Sequence, residues 1–240
     1  MSNLNYLKTN VKKITALSLI IFCCALLTNC GGTKFVKFPE KENEVYPSPN
    51  LKSFLKDNKN PKVVLRIPSS KNEVTTRDNR SYLYDAIEKE LLKNGFIVRD
   101  RQLFSQVLSN TDNSADYSKL KERTDTDLII ELSKLNTEVL YETNKYKTSK
   151  GKEGLLHYIY KRYGAEVEFK IIMMKDNEFA GTYTFNYSPC GKYPCEINSE
   201  FRKNWNQAQK GKKEFEKIEK DHLSEFIQTA TQQLVNSMRK

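Results

Sequence analysis

The most constraining feature of this 240-residue sequence is an alternation of apolar and polar residues in two neighbouring segments, 165–171 and 179–187. In the segment AEVEFKI one parity is apolar and the other is charged; the apolar set is Ala165, Val167, Phe169 and Ile171. After the turn sequence KDNE, the segment FAGTYTFNY alternates again. A period of two is typical of a β-strand with one buried and one solvated face. The two segments therefore predict an antiparallel hairpin.

Strands and helices alternate in the part of the chain that precedes this hairpin. Ser81 is a suitable N-cap and Asn94-Gly95 a suitable stop for one helix, and Asp100 can cap the helix that follows. The predicted elements are, in order, the strand KVVLRIP, the helix SYLYDAIEKELLKNG, the strand FIVR, the helix RQLFSQVLS, a short helix over 117–123 and the strand DLIIELSKL. This alternation is typical of an α/β layer.

The rest of the chain is predicted to add two strands and a helix. The strands cover residues 138–147 and 155–163, and the basic loop TSKGKEG joins them. An apolar stripe at every third or fourth position predicts a C-terminal amphipathic helix. The stripe comprises Phe215, Ile218, Leu223, Phe226, Ile227, Ala230, Leu234 and Met238. The sequence therefore predicts an α+β fold with an α/β layer, in which residues 62–240 form a single domain. Its mixed sheet is expected to have helices packed on one face.

The beginning of the chain has the pattern of a bacterial export signal. A basic segment with three lysines and no acid precedes an almost entirely apolar run over residues 14–27. That run is too short for a transmembrane helix, which needs about 20 residues. Leu27-Thr28-Asn29-Cys30 resembles a lipobox, where the signal is cut before a cysteine that receives lipid. Residues 1–29 are therefore predicted to be a lipoprotein signal peptide, with Cys30 as the lipid-attachment residue. The alternative is an ordinary cleaved signal in which Cys30 is incidental.

The positive charge of the chain after the signal suggests two explanations, an anionic partner or a solvated lysine-rich surface. Residues 30–61 are polar, punctuated by proline and without sustained periodicity, and are predicted to be a tether. The whole chain has a net charge of +10, and the loss of residues 1–29 removes only three lysines. A basic exported protein suits a membrane with anionic lipid, a cell-wall polymer such as peptidoglycan, or an acidic envelope protein. A solvated lysine-rich surface is the commoner explanation of such a charge. Nucleic acid is not an expected partner outside the cytoplasm.

Two cysteines remain once the signal and Cys30 are set aside. Cys190 and Cys195 lie close together in the segment CGKYPC. In an exported chain, such a pair most simply forms a local disulfide. A redox or metal site is the alternative, although the spacing is not Cys-x-x-Cys.

The sequence holds no recognisable constellation of catalytic residues. Its only histidines, His157 and His222, are far apart and predict no metal site. The chain is therefore not predicted to be an enzyme, and no cofactor is expected besides a covalent lipid on Cys30. Tyrosines and basic residues are frequent in the β-rich half, which suits an interaction surface; ordinary strand composition is the alternative. The candidate surface residues are Tyr158, Tyr160, Lys161, Arg162 and Trp205.

The segment LYDAIEKELLKNGFIVRDRQLFSQVLSN resembles the CsgG-like group of bacterial lipoproteins. The similarity lies in a helix, a glycine stop, the strand exit FIVRDR and a second helix with Leu103, Val107 and Leu108. That group shares its α/β core with the periplasmic TolB N-terminal domain and with lipoprotein activators of peptidoglycan synthases. The order of the other predicted elements over residues 60–240 is similar as well. The resemblance implies an envelope protein, lipid-anchored at the outer membrane, that binds protein or cell-wall partners.

Two departures from the CsgG-like pattern have consequences. Members that form the curli secretion channel add long hairpins that cross the outer membrane. Here the segment EVLYETNKYKT has charged or polar side chains on both parities, which does not fit a membrane-crossing strand. Thr124-Asp125-Thr126 stands where the family often has glycine before a strand, which predicts a differently built loop.

Three functions are open on the sequence alone. The first is a membrane-anchored, non-catalytic binding or assembly module of the cell envelope, facing the periplasm or the cell surface. The second is a subunit of a ring-forming outer-membrane secretion or assembly complex. The third is an envelope redox protein or enzyme that uses Cys190 and Cys195. The sequence does not predict an oligomeric state.

Overall fold

Thirteen helices and strands lie in the residues that the computed structural model describes, which are 32–66, 77–109, 117–175 and 177–239. They are β1 (Lys34–Val36), β2 (Glu44–Pro47), α1 (Pro49–Asp57), β3 (Lys62–Arg66), α2 (Arg77–Lys93), β4 (Ile97–Arg99), α3 (Arg101–Ser109), α4 (Tyr117–Thr124), β5 (Leu128–Thr148), β6 (Glu153–Met173), β7 (Glu178–Tyr187), α5 (Ser199–Gln209) and α6 (Lys220–Arg239). The predicted signal peptide and Cys30 lie outside the described residues.

The strands form one mixed sheet in the order β2-β7-β6-β5-β3-β4, and β1 pairs with the far end of β5. The β3–β4 and β3–β5 pairs are parallel, whereas β5–β6, β6–β7 and β2–β7 are antiparallel. The predicted α+β class with a mixed sheet is confirmed. The predicted hairpin is confirmed as well, with Val167 opposite Phe185 and Phe169 opposite Tyr183.

Two strands are much longer than the sequence predicts. The predicted strands at 127–135 and 138–147 are one strand, β5, and those at 155–163 and 165–171 are one strand, β6. Each has 21 residues. Bulges in β5 between Leu132 and Lys134 and between Asn136 and Val139 interrupt the alternation. An extra residue in one strand shifts the parity of its side chains without ending the ladder.

One face of the sheet carries the main hydrophobic core, which α1, α2 and α6 cover. The helix α6 is the predicted amphipathic helix, and its buried residues are Leu223, Phe226, Ile227, Ala230, Thr231, Leu234, Val235 and Met238. The predicted stripe starts at Phe215, but the helix starts at Lys220, and the Phe215 ring contacts Tyr163 instead. Among the helices of the described ranges, none combines the length and apolar composition that crossing a membrane requires.

The helices do not all pack on one face, which corrects the predicted arrangement. Helices α3 and α4 cover the opposite face, where Phe104 and Leu120 pack with Val64 and Ile129. The physical reason is that β3 and β5 are apolar on both parities where they pair with each other. Parallel strands of this kind need cover on both faces.

Residues 32–61 are part of the folded domain and not a tether, which corrects a second prediction. Strand β2 pairs with β7, and Ser48 caps α1 by accepting a hydrogen bond from Leu51 N–H at 3.2 Å. Leu51 and Leu55, four positions apart, lie on one helical face and are buried in the main core. Elements of three, four and nine residues are too short to produce a visible periodicity in the sequence.

The loop before β5 has the backbone geometry that glycine favours, although no glycine is present. Asp125 has a φ of 50°, in the left-handed region that Asp tolerates better than most residues. Its carboxylate accepts a hydrogen bond from Lys62 Nζ at 2.7 Å and pairs with Arg99. The hydrogen bond from Lys62 lowers the pKa of Asp125. These side-chain contacts therefore hold the loop in its left-handed conformation.

Truncation of a buried leucine in α1 tests whether the N-terminal segment belongs to the fold. Leu51→Ala should lower the free energy of unfolding by about 2–5 kcal/mol, because the change removes apolar contacts and leaves a cavity. Urea denaturation followed by circular dichroism measures the difference. Lys52→Ala, at the exposed neighbouring position, is the control and should change it by less than about 0.5 kcal/mol. Equal stability of Leu51→Ala and the wild type would contradict the docking of α1.

Candidate functional site

Beyond the end of β7, the β5–β6 ladder continues as an arm, defined here as residues 139–148 and 153–164. The arm carries a second, smaller hydrophobic core. Its buried members are Val36, Phe38, Val139, Tyr141, Tyr160 and Ile197. Strand β1 lies along β5 here, with Val36 opposite Tyr146, so the N-terminal segment holds the arm from one side.

Helix α5, which the sequence reading does not predict, covers this small core. Asn198 caps the helix, since its Oδ1 accepts a hydrogen bond from Phe201 N–H at 2.8 Å. Phe201 and Trp205 lie four positions apart and therefore on one face. Both rings pack on Tyr160, with a centroid separation of 5.1 Å in each case. The segment reads as a polar loop because only this narrow stripe of the helix is apolar.

The structure separates the residues predicted as one interaction surface. Tyr160 is 2% exposed and belongs to the small core, so it is not a surface residue. Tyr158 is 56% exposed, and its ring lies 5.6 Å from that of Trp205. Lys161 lies on the other face of the arm, paired with Glu142 at 2.5 Å. Arg162 extends toward the cysteine pair instead.

Cys190 and Cys195 form the predicted disulfide, which closes a short loop over residues 190–195. Cys190 has a φ of 60°, a left-handed conformation that costs a non-glycine residue about 1–3 kcal/mol. A hydrogen bond from Val36 N–H to Cys195 O at 3.0 Å fixes the loop to the N-terminal segment. The Arg162 guanidinium lies against both sulfur atoms and pairs with Glu216 at 3.0 Å.

A cleft of about 300 Å³ lies between this disulfide loop and the beginning of α6. Aromatic rings form one wall, in which Tyr193 stacks on the His222 imidazole with the centroids 4.0 Å apart. Tyr187 and Phe201 also line the cleft. Burial raises the pKa of Tyr187, so its phenol stays protonated and able to donate a hydrogen bond. The aromatic wall offers flat apolar faces with polar edges, as in many binding sites for peptides and sugars.

The remaining wall of the cleft carries both signs of charge. Arg162 and Glu216 are paired there, and Glu219 Oε2 lies 4.0 Å from His222 Nδ1. Behind the wall, Lys192 and the Tyr193 hydroxyl both contact Glu225, which ties the loop to α6. A concave site with a few fixed polar groups is suited to selective binding. Across the described part of the chain, no group of His, Cys, Asp and Glu is placed to hold a metal ion.

Tyr193 and His222 are two of the cleft residues that sequence reasoning does not assign to a site. They are distant in the sequence, and only the packing of the disulfide loop on α6 brings their rings together. The sequence signal that could have indicated Tyr193 is its place inside a short cystine loop, because such a loop presents its side chains in a fixed geometry.

The turn at the end of the arm contacts the first residues that the structure describes. Ser149 N–H donates a hydrogen bond to Thr33 O at 2.8 Å, and Lys34 lies opposite Thr148 in the β1–β5 pair. Gly32 is so close to the turn that a Cβ built on it would lie 2.7 Å from Ser149 Oγ. The chain therefore enters the domain at the end of the arm.

Comparison with known proteins gives distant likenesses only. No family model and no curated protein matches the chain. The PelC dodecamer from Paraburkholderia phytofirmans is 9% identical, with a TM-score of 0.38 over 82% of this chain and 96% of that chain. A neuraminyllactose-binding hemagglutinin homolog from Helicobacter pylori is 9% identical, with a TM-score of 0.30 over 85% and 90% of the two chains. Likenesses this distant assign neither a family nor a function, and the CsgG-like resemblance stays a prediction from the sequence.

Removal of the Tyr160 ring tests whether α5 stays in place by packing on the small core. Tyr160→Ala should lower the free energy of unfolding by about 3 kcal/mol, the lower end for loss of a buried aromatic ring. Trp205 is the only tryptophan, so its emission should shift to longer wavelength as the indole becomes solvated. Ile159→Ala is the control, because that side chain is 53% exposed and on the opposite face of β6 from Tyr160, and it should leave the emission nearly unchanged. An unshifted emission in Tyr160→Ala would show that α5 does not depend on this packing.

Proposed function

We propose that the protein is a bacterial envelope lipoprotein, attached to the membrane through Cys30, that acts as a non-catalytic binding module. Its proposed partner is an envelope protein or a cell-wall polymer. The observation that carries the anchor is Leu27-Thr28-Asn29-Cys30, which follows the apolar run over residues 14–27. The Cys190–Cys195 disulfide supports an exported location, because disulfides persist in oxidising compartments. The outer membrane is the proposed location, in keeping with the CsgG-like resemblance of residues 83–108.

The proposed binding site is the cleft beside the disulfide loop. The stacked rings of Tyr193 and His222 and the ion pair of Arg162 with Glu216 support recognition of a peptide or glycan by stacking and hydrogen bonds. The cross-link, the contact with β1 and the contacts with α6 restrain the loop that forms one wall. A preformed site loses little conformational entropy on binding, which suits a module whose role is assembly.

Substitution of the predicted lipid-attachment residue tests the anchor. Cys30→Ala should abolish incorporation of an alkyne-labelled fatty acid and move the protein from the membrane fraction to the soluble fraction. The physical reason is that the thiol of Cys30 is the proposed site of acylation. Cys24→Ala, within the apolar run, keeps the lipobox-like sequence and should behave as the wild type. Labelling and membrane association of Cys30→Ala at wild-type levels would contradict the anchor.

A photo-crosslinking amino acid placed at Tyr193 tests the cleft. Tyr193 is 39% exposed at the cleft, whereas Phe179, which is 58% exposed on the distant β6–β7 hairpin, serves as the control position. Illumination of living cells should give a discrete adduct from position 193, identified by mass spectrometry, and none from position 179. The same adducts at both positions, or none at position 193 in a protein of normal abundance, would remove the cleft from consideration as the partner site.

A further inference from the structure

The chain enters the folded domain at the arm tip, defined here as residues 32–34 and 145–155. Three contacts fix this entry: the hydrogen bond from Ser149 N–H to Thr33 O, the β1–β5 pairing and the close approach of Gly32 to the turn. Only one residue separates Gly32 from Cys30. Because successive Cα atoms are 3.8 Å apart, the Cα of Cys30 lies within about 8 Å of that of Gly32. A lipid on Cys30 would therefore be attached beside the arm tip.

The arm tip is strongly basic. Its hairpin contributes four exposed lysines, Lys145, Lys147, Lys150 and Lys152. Lys34 adds an ammonium group from β1, 4.7 Å from the centroid of the Tyr146 ring. The single acid among residues 145–155 is Glu153, which accepts a hydrogen bond from Lys37 at 2.5 Å. That bond lowers the pKa of Glu153. Lys147 and Lys145 also act on Glu153, but one acid offsets only one of the lysines, so the tip keeps a net positive charge.

The same surface exposes an apolar side chain. Leu155 is 68% exposed, the highest value among the large apolar residues within the described ranges. It lies opposite Lys145 in the β5–β6 pair, so a leucine and a lysine project from the same face of the arm. At a bilayer interface, leucine enters the boundary of the acyl chains while lysine ammonium groups reach the headgroup phosphates. The arrangement therefore matches the two layers of a membrane surface.

We propose that the arm tip is a second membrane contact, which docks on anionic lipid headgroups beside the lipid on Cys30. This inference rests on the anchored state of the proposed function. A lysine near an anionic leaflet strengthens partitioning by roughly fivefold, and a basic patch is a common second signal beside a lipid chain. An acidic polymer or protein could use the lysines, but it would need neither the exposed Leu155 nor a position beside Cys30.

A spin label at Ser149 measures the depth of the arm tip in the lipid-anchored protein. The full-length lipidated protein with Ser149→Cys is reconstituted in vesicles of phosphatidylethanolamine and phosphatidylglycerol. Cys30 carries the lipid and the other two mature cysteines are joined, so the label has one thiol to react with. Its accessibility to oxygen and to a nickel chelate should place it at headgroup depth. Phe179→Cys is the matched control. Phe179 lies opposite Ile172, which is about 20 residues along β6 from the tip, on the order of 60 Å, so this label should stay in water.

Charge and lipid composition then identify the cause of the depth. Substitution of Lys145, Lys147, Lys150 and Lys152 by Gln should move the Ser149 label into water while the protein still floats with the vesicles. In vesicles of phosphatidylcholine alone, the Ser149 label should also lie in water, even in the protein that keeps all four lysines. In the lipid-free Cys30→Ala protein, the four substitutions should weaken partitioning onto phosphatidylglycerol vesicles more than tenfold.

The outcomes separate the docking from the anchor. A Ser149 label in water on phosphatidylglycerol vesicles overturns the docking. A depth that depends on neither the lysines nor the anionic lipid overturns it as well. A protein that carries no lipid and fails to float overturns the proposed anchor instead.

Discussion

The pairing of β5 with β6 is the interaction on which the rest of the structure depends. The ladder runs from Leu128 opposite Met173 at one end to Lys147 opposite Glu153 at the other. Helices and neighbouring strands bury its first half, whereas β1 and α5 cover its second half. One backbone ladder therefore joins the main core to the small core. A slip of one residue would exchange the buried and solvated faces of both, so the register of this pair is fixed from both ends.

The junction of the two cores shows how one strand can serve both. In the main core, the buried residues of β6 have odd numbers, as Val167 and Phe169 do. Toward the small core they have even numbers, as Tyr160 and Gly164 do. Because successive side chains of a strand point to opposite faces, the two cores lie on opposite faces of the sheet. Gly164 marks the change, because a Cβ on it would lie 2.3 Å from Tyr187 O and 2.6 Å from the Tyr141 ring. A larger residue would displace the end of β7 or the aromatic ring that begins the small core. The glycine is required by close approach, since no unusual φ is needed there.

That change of parity also explains what the sequence could and could not predict. The alternation of residues 165–171 and the Asp100 cap depend on near neighbours, and both are found in the structure. Ala165, Val167, Phe169 and Ile171 are buried, and Asp100 Oδ1 accepts a hydrogen bond from Leu103 N–H at 2.9 Å. A break in parity reads as the end of a strand, so β5 and β6 were each predicted as two strands. The disulfide is predictable from the exported compartment and the short spacing of the two cysteines.

The cleft is not predictable from the sequence, because Tyr193 stacks on His222 only through the long-range packing of the disulfide loop on α6. The buried Leu51 and the Phe201–Trp205 stripe were hidden in polar, short segments that gain their stability from the sheet they pack against.

The fixed N-terminal segment changes what an anchor at Cys30 would do. A flexible tether of the predicted length would span about 30 Å and leave the domain free to turn. Instead, Val36 N–H donates to Cys195 O, and Lys37 O accepts from Thr143 Oγ1 at 2.7 Å, so backbone close to the anchor is held on both sides. Arg162 lies opposite Tyr141, and the distance along β5 from Tyr141 to Thr148 at the turn is about 20 Å. An anchored molecule would therefore hold its cleft about 20 Å from the membrane end of the arm. A partner would have to present the group that the cleft binds at about 20 Å from the membrane. A long flexible tether would remove that constraint.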